Sequence, residues 1–188
     1  MSLRHIILGL LKSEGELSGY DIKQLIEDGI NMFWYADLSQ IYRALSDLEA
    51  AEWVLSTPDP DNNRQRKVYH ITPTGDVALQ DWLTSDIKLK QFRRSDLARL
   101  FFGRLAPPDR LREQVVALRT EYEQRLAAIR GAQQYILEQD MAKYPQDAPY
   151  WLITVDQGIR VLQAQIDWCN ATLQTLDQLN NHSPDEET

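Results

Sequence analysis

The sequence predicts a mainly α protein with one small β-hairpin: an N-terminal winged helix-turn-helix followed by long antiparallel C-terminal helices. Three observations carry this prediction. A capped amphipathic helix from Leu38 is followed by two strand-like runs around a basic, proline-broken turn. Two shorter helical patterns precede that helix, and two long apolar rhythms at three-four spacing fill the second half.

The first helix is read from Leu3, Ile6, Ile7, Leu10 and Leu11, a stripe that stops at Ser13-Glu14-Gly15. Ser18-Gly19-Tyr20-Asp21 offers a cap with an acid three residues on, and Tyr20, Ile22, Leu25, Ile26 and Ile30 supply the apolar side of a second helix. The third opens at Asp37, whose carboxylate can accept the Gln40 amide while the Gln40 side chain reaches back. Leu38, Ile41, Leu45 and Leu48 form its buried stripe, so Ser39, Gln40, Arg43 and Asp47 face away. Past Glu52 the period changes. Val54 to Thr57 is short and partly β-branched, residues 58–63 (Pro58-Asp59-Pro60-Asp61-Asn62-Asn63) are turn chemistry, and Lys67 to Ile71 alternates, with Val68 and His70 on one face and Tyr69 and Ile71 on the other. Thr72 caps a fourth helix, with Pro73 at its first position, where a missing amide costs nothing.

Helices and hairpin in this order make a DNA-reading module, because the third helix can enter the major groove while the hairpin touches backbone. Arg43, in the second turn, can pair bidentately with guanine; its duller alternative is a bridge to Asp47 at i+4, worth only ~0.3 to 0.5 kcal/mol. Gln40 either completes the cap or reads a base. Ser39 is short and suits a phosphate. Tyr42 lies at the border of the stripe, its ring as core and its hydroxyl as a phosphate donor. Arg64, Arg66 and Lys67 are wing contacts to backbone, or simply a solvated turn.

Three segments carry a family resemblance. Leu-Ser-Gly-Tyr-Asp-Ile at 17–22, Ser-Gln-Ile-Tyr-Arg-Ala-Leu-Ser-Asp-Leu-Glu at 39–49 and Arg-Lys-Val-Tyr-His-Ile-Thr-Pro-Thr-Gly at 66–75 resemble the PadR family of bacterial transcriptional regulators. The long helical second half, with Phe101-Phe102-Gly103 near its start, is similar to the PadR group with an extended dimerisation domain of the AphA type. The resemblance implies a homodimer that represses genes from a palindromic operator and is sometimes released by a small-molecule effector, here unidentified. The wing departs from the family's pattern, since Asp59-Pro60-Asp61-Asn62-Asn63 is poorer in Arg and Gly than is usual there.

Charge argues the other way. The chain of 188 residues has a net charge of -8, whereas phosphate contacts need cations. Residues 1–83 hold 7 Lys and Arg against 13 Asp and Glu, hence -6. Four of the seven, Arg43, Arg64, Arg66 and Lys67, nevertheless fall on the two elements that would meet DNA, and focused charge binds where an average does not. The longest unbroken apolar run, Ile6 to Leu11, is far short of a membrane span, and no cleavage site follows it, so the expected location is the cytoplasm. A single cysteine, Cys169, excludes an internal disulfide framework, and His5, His70 and His182 show no ligand spacing. No metal or cofactor is expected.

The second half reads as two helices. Leu111, Val115, Leu118, Tyr122, Leu126 and Ile129 mark one that continues toward Lys143; residues 144–149, with two prolines, form a loop. Leu152, Val155, Ile159, Leu162, Ile166, Cys169, Leu173 and Leu176 mark the other, read as a coiled-coil seam that pairs two subunits. The linking stretch 86–104 reads as a solvated basic face opposite a buried Phe and Leu face, the alternative being a basic helix near the DNA backbone. The expected domains are residues 1–84 for DNA binding, 85–180 for dimerisation, and a disordered acidic tail at 181–188. Tyr150, Trp151 and Trp168 invite an aromatic cleft for a flat effector. No nucleophile-base pair, phosphate-cradling glycine loop or ligand cluster is present, so an enzyme is the weakest class, and a winged helix that binds protein instead of DNA is the stronger alternative.

Overall fold

The computed structural model describes residues 2–31, 33–59, 66–87 and 94–181. Arg64 and the rest of the wing tip, Lys88, Lys90 and Arg93 of the linking stretch, and the tail from 182 lie outside them. The chain forms two units, Met1–Lys90 and Gln91–Thr188.

In the first unit, α1 (Ser2–Glu14) sends Ile7, Leu8 and Leu11 into the core, and ends where Gly15, at φ 88°, adopts the left-handed conformation. The chain then enters α2 (Gly19–Leu25), which is capped as its sequence predicts: Ser18 accepts the Asp21 amide and Asp21 accepts the Ser18 amide. A π turn, Ile26–Ile30, continues it. Ile22 and Ile26 are buried, but Tyr20, expected on the apolar side, is more than half exposed and accepts a bond from Gln24. At the second position of the helix its ring lies beyond the reach of the core.

The Asp37 box forms as predicted and opens α3 (Leu38–Ala50), whose Ile41, Ala44, Leu45 and Leu48 are buried. Glu52 ends it at φ 58°, with the Trp53 amide bonded to the Leu48 carbonyl and the Glu52 amide to that of Glu49. This is a Schellman stop with a glutamate in glycine's place. The hairpin follows as β2 (Val54–Pro58) and β3 (Lys67–Ile71), in register from Val54 opposite Ile71 to Pro58 opposite Lys67. A third strand, β1 (Leu17–Ser18), pairs with β3 and completes the antiparallel order β1-β3-β2. Two residues are too few to show alternation, and the cap signal at Ser18 hid them. Thr72 caps α4 (Pro73–Thr84), accepting the Gly75 amide and donating to the Glu52 carbonyl.

The second unit is built on two long helices. A short α5 (Ser95–Phe101) and a 3-10 turn, Gly103–Leu105, lead into α6 (Pro108–Tyr135), which runs on through a π turn, Ile136–Asp140, into the single turn α7 (Met141–Lys143). After a tight turn the chain returns as α8 (Ala148–Asn181). The pairs Arg112 with Asp177, Arg119 with Asn170 and Arg130 with Gln163 show that α6 and α8 run antiparallel.

This corrects the reading of the α8 stripe as a subunit seam. Leu152, Val155, Ile159, Leu162 and Ile166 pack with Leu126, Ile129 and Ile136, while Cys169, Leu173 and Leu176 pack with Val115 and Leu118. Val155, Ile166, Cys169 and Leu173 are buried within their own chain, and Leu152, Ile159, Leu162 and Leu176 are partly covered there. The linking stretch is corrected as well. Leu100 does pack inward, but Phe101 and Phe102 are 83% and 61% exposed, edge to face at 5.0 Å.

Two backbone sites yield opposite predictions. A Cβ on Gly75 would meet the Trp53 carbonyl oxygen at 2.1 Å, and backbone there cannot yield. Gly75→Ala is expected to cost about 1–3 kcal/mol or more through overpacking. Glu52→Gly removes a left-handed penalty of about 1–2 kcal/mol against a glycine entropy cost of about 0.5–1 kcal/mol, and should raise stability slightly. Urea unfolding of the two variants beside the unaltered chain checks both signs.

Candidate nucleic-acid interface

The outward face of α3 is arranged by its cap. Asp37 Oδ1 accepts the Gln40 amide at 2.8 Å and the Ser39 hydroxyl at 2.6 Å, and the Gln40 side-chain oxygen accepts the Asp37 amide at 3.2 Å. The Ser39 hydroxyl and Gln40 amide bonds hold the Asp37 carboxyl below its ordinary value of 3.8. Ser39 and Gln40 are both exposed, yet one polar atom of each is already engaged. The Gln40 amide nitrogen still points a donor pair outward.

Tyr42 departs from expectation: it is 48% exposed, and its ring lies over the start of α2. A Cβ on Gly19 would fall 2.6 Å from a ring carbon of Tyr42. Glycine at 19 therefore lets the two helices of the motif approach. Arg43 is exposed and, among the described residues, forms no ion pair within 4 Å; the alternative bridge to Asp47 does not form.

Among the described residues, the other cations of this unit have partners. Lys12 pairs with Asp76 at 2.8 Å, Lys23 pairs with Glu27, and Arg4 lies 5.9 Å from the centre of the Trp53 ring. Lys67 is mostly exposed, with Glu49 at 3.9 Å, while Glu49 also accepts the Ser56 hydroxyl at 2.5 Å. Arg66, expected to face outward from the wing, turns inward: one terminal nitrogen reaches both Asp21 oxygens, at 2.7 and 2.8 Å, and the Ser18 hydroxyl at 2.9 Å. Partial burial pushes the Asp21 carboxyl up, but the Ser18 hydroxyl, the Ser18 amide and Arg66 outweigh it and hold the group below 3.8. Gly19 and Asp21 are the functional positions that sequence reasoning missed. Asp21 carried only a cap signal, and nothing local announces a partner 45 residues away.

The aromatic trio does not converge. Trp151 stacks obliquely on Tyr144 at 5.3 Å, Tyr150 is exposed, and Trp168 packs with the Val115-Cys169-Leu173 cluster. Trp151 and Trp168 occupy one continuous helix, and at 1.5 Å per residue they lie roughly 25 Å apart along it. A single cleft in the chain cannot be lined by both. Among the described residues no group of three His, Cys, Asp or Glu could hold a metal ion, and no helix is long and apolar enough to cross a membrane.

A tri-helical head with a three-stranded wing, presenting an unpaired arginine from the second turn of its third helix, defines the winged-helix class of transcription regulators. Comparison with known proteins narrows the class. Residues 7–81 match the PadR-like transcriptional regulator family and residues 92–177 the virulence activator alpha C-terminal family. The chain thus joins a PadR-like domain to a virulence activator alpha C-terminal domain, and its homologues are PadR-type transcriptional regulators. It is 28% identical over 189 residues to the probable transcriptional regulator of Mycobacterium tuberculosis, covering 95% of this chain and 99% of that one. Over 82 residues it is 39% identical to the negative transcriptional regulator PadR of Bacillus subtilis, covering 43% of this chain and 44% of that protein. The crystal structure of Bacillus subtilis PadR in complex with operator DNA has the same fold, with a TM-score of 0.79, 21% identity, and coverage of 94% of this chain and 99% of that one. These relatives regulate transcription and are not enzymes.

The α3 cap makes the head sensitive to acid in a defined direction. Asp37 is held below 3.8, so its contribution is complete above that value and is lost as pH falls through the lower folded-state value. Asparagine caps a helix equally well and does not titrate. Asp37→Asn is therefore expected to soften the loss of helical circular dichroism between pH 4 and 2, roughly the range over which such a group titrates; an unchanged acid limb would contradict the cap's role.

Proposed function

We propose that the chain is a homodimeric repressor that inserts α3 from each subunit into successive major grooves of a palindromic operator. Arg43 carries this reading: a guanidinium exposed in the second turn, with no acid within 4 Å among the described residues, is free to pair with a guanine edge. The Gln40 amide nitrogen is proposed to reach a neighbouring base or phosphate, Ser39 and the Tyr42 hydroxyl to meet phosphates, and Lys67 with Arg64 to contact the backbone from the wing. Lys67, itself exposed, can exchange the partly exposed Glu49, at 3.9 Å, for a phosphate at little cost. The negative regulation known by name for the Bacillus subtilis relative of the first domain supports repression.

Pairing is proposed through the second unit, but not through the Leu152 to Leu176 stripe. Phe101, Phe102 and Leu105 are large, clustered in sequence and uncovered, which supports them as the apolar centre of a subunit contact. Two-fold symmetry in the protein then demands a palindrome in the DNA. The proposed place of action is the cytoplasm, where the operator is. A small-molecule effector remains a proposal without a site, because Tyr150, Trp151 and Trp168 do not share a cleft.

Selection of bound fragments from the source genome identifies the operator, starting with the promoter of the gene itself. Arg43→Ala is expected to weaken operator binding by ~1 to 3 kcal/mol and to relax preference at one base pair per half-site. Undiminished affinity and selectivity would remove it from the interface. Absence of any shift of promoter DNA at low salt would favour the protein-binding alternative. Replacing Phe101 and Phe102 together by Ser should lower the mass in sedimentation equilibrium from dimer to monomer, whereas Leu162→Ser should unfold the second unit instead.

A further inference from the structure

The basic root of the wing works inward. The hairpin is closed at its outer described rung by the Asp59 amide, which donates to the Arg66 carbonyl at 2.8 Å. From that rung the Arg66 side chain crosses to the start of α2. There it meets both Asp21 oxygens and the Ser18 hydroxyl, with its Nε 3.4 Å from Asp59. Asp21 is at the same time the acid of the α2 capping box, accepting the Ser18 amide at 2.9 Å and the Ser18 hydroxyl at 2.7 Å. Ser18 itself is paired with Val68 of β3, and the neighbouring Gly19 lies beneath the Tyr42 ring of α3. Within four residues, 18–21, the wing, the sheet and the reading helix are thus tied to one point.

We propose that Arg66 is a positioning residue for operator binding, one that fixes the direction of the wing relative to α3 through Asp21 and Ser18 and makes no phosphate contact of its own. The inference rests on the DNA-binding reading above. A two-stranded ribbon is marginal in isolation, so β2 and β3 take their direction at this end from what holds Arg66. One terminal nitrogen of the guanidinium serves both the carboxylate and the hydroxyl, so swinging the side chain outward to a phosphate would break contacts already made. Asp21 gains a meaning that its sign conceals. An acid in a DNA-reading head opposes binding by charge, yet this one favours binding by geometry.

The experiment compares the full-length chain with Arg66→Ala, Arg66→Lys, Asp21→Asn and the double variant Arg66→Ala/Asp21→Asn, by operator titration over a salt series and by amide hydrogen exchange without DNA. Arg66→Ala is expected to weaken binding about tenfold with the slope of log K against log salt unchanged, and Arg66→Lys, whose ammonium can supply the same single-nitrogen contact to Asp21, to recover part of the loss. Asp21→Asn should weaken binding too, although charge alone predicts a gain, and the double variant should be no weaker than either single one. In the free protein each single variant should speed exchange at Thr57, Val68 and Ile22. A slope shallower by about 1.8 in Arg66→Ala, the loss of one phosphate per subunit at about 0.9 each, would overturn the proposal. So would tighter binding by Asp21→Asn, or exchange that neither variant alters. If the unaltered chain binds no DNA, the reading beneath the proposal fails, and that is seen before any variant is compared.

Discussion

Burial of one stripe, Ile41, Ala44, Leu45 and Leu48, is the constraint on which the first unit depends. Each large side chain taken fully from water contributes about 1.5–3 kcal/mol, so the stripe outweighs any cap or surface ion pair, the latter worth about 0–1 kcal/mol. A helix has one rotation that buries this stripe. Ser39, Gln40 and Arg43 face solvent as a consequence, without any interaction having to hold them there. The Asp37 box then decides where the helix begins, and so how far Arg43 stands from its end. The outward face of α3 is positioned by hydrophobic burial and trimmed by capping.

The acidity of the head looks different once partners are known. Asp76, Glu27, Asp21 and Glu49 each hold a cation of the same unit, at the four places where α1 meets α4, where α2 runs into its π turn, where the wing meets α2, and where the hairpin crosses the end of α3. These pairs are partly exposed and contribute little energy singly. Their effect is on distribution: they neutralise cations that would otherwise spread nonspecific attraction over the surface. Arg43 remains as the cation of α3, on the face that burial turns outward. A head of net charge -6 over residues 1–83 can read DNA this way, at the cost of weak background binding.

What the sequence made legible were features written within one turn or one stripe. Both capping boxes, the Thr72-Pro73 start, the hairpin pairing of Tyr69 and Ile71 toward the core, and the antiparallel long helices all rest on spacings of three, four or two. The failures share another cause. Strand β1 is too short to have a period. Spacing places Tyr20, Phe101 and Phe102 on apolar faces and Tyr42 at the border of one, yet hydrophobicity does not say whether a neighbour exists to cover a ring. Arg66 lies by sequence on the basic side of the hairpin, which points to DNA, yet its partner lies on another element 45 residues back.

The α8 stripe shows why periodicity cannot separate folding from assembly. Eight residues at three-four spacing demand an apolar neighbour, and a seam between subunits would meet that demand as well as α6 does. Loop length decides between them. Tyr144 to Asp147 is short enough that α8 meets α6 of its own chain at a very high effective concentration, before any second molecule can compete. The intrachain pair therefore claims the strongest stripe. The proposed subunit contact draws on apolar groups that this pair leaves bare, Phe101, Phe102 and Leu105 among them.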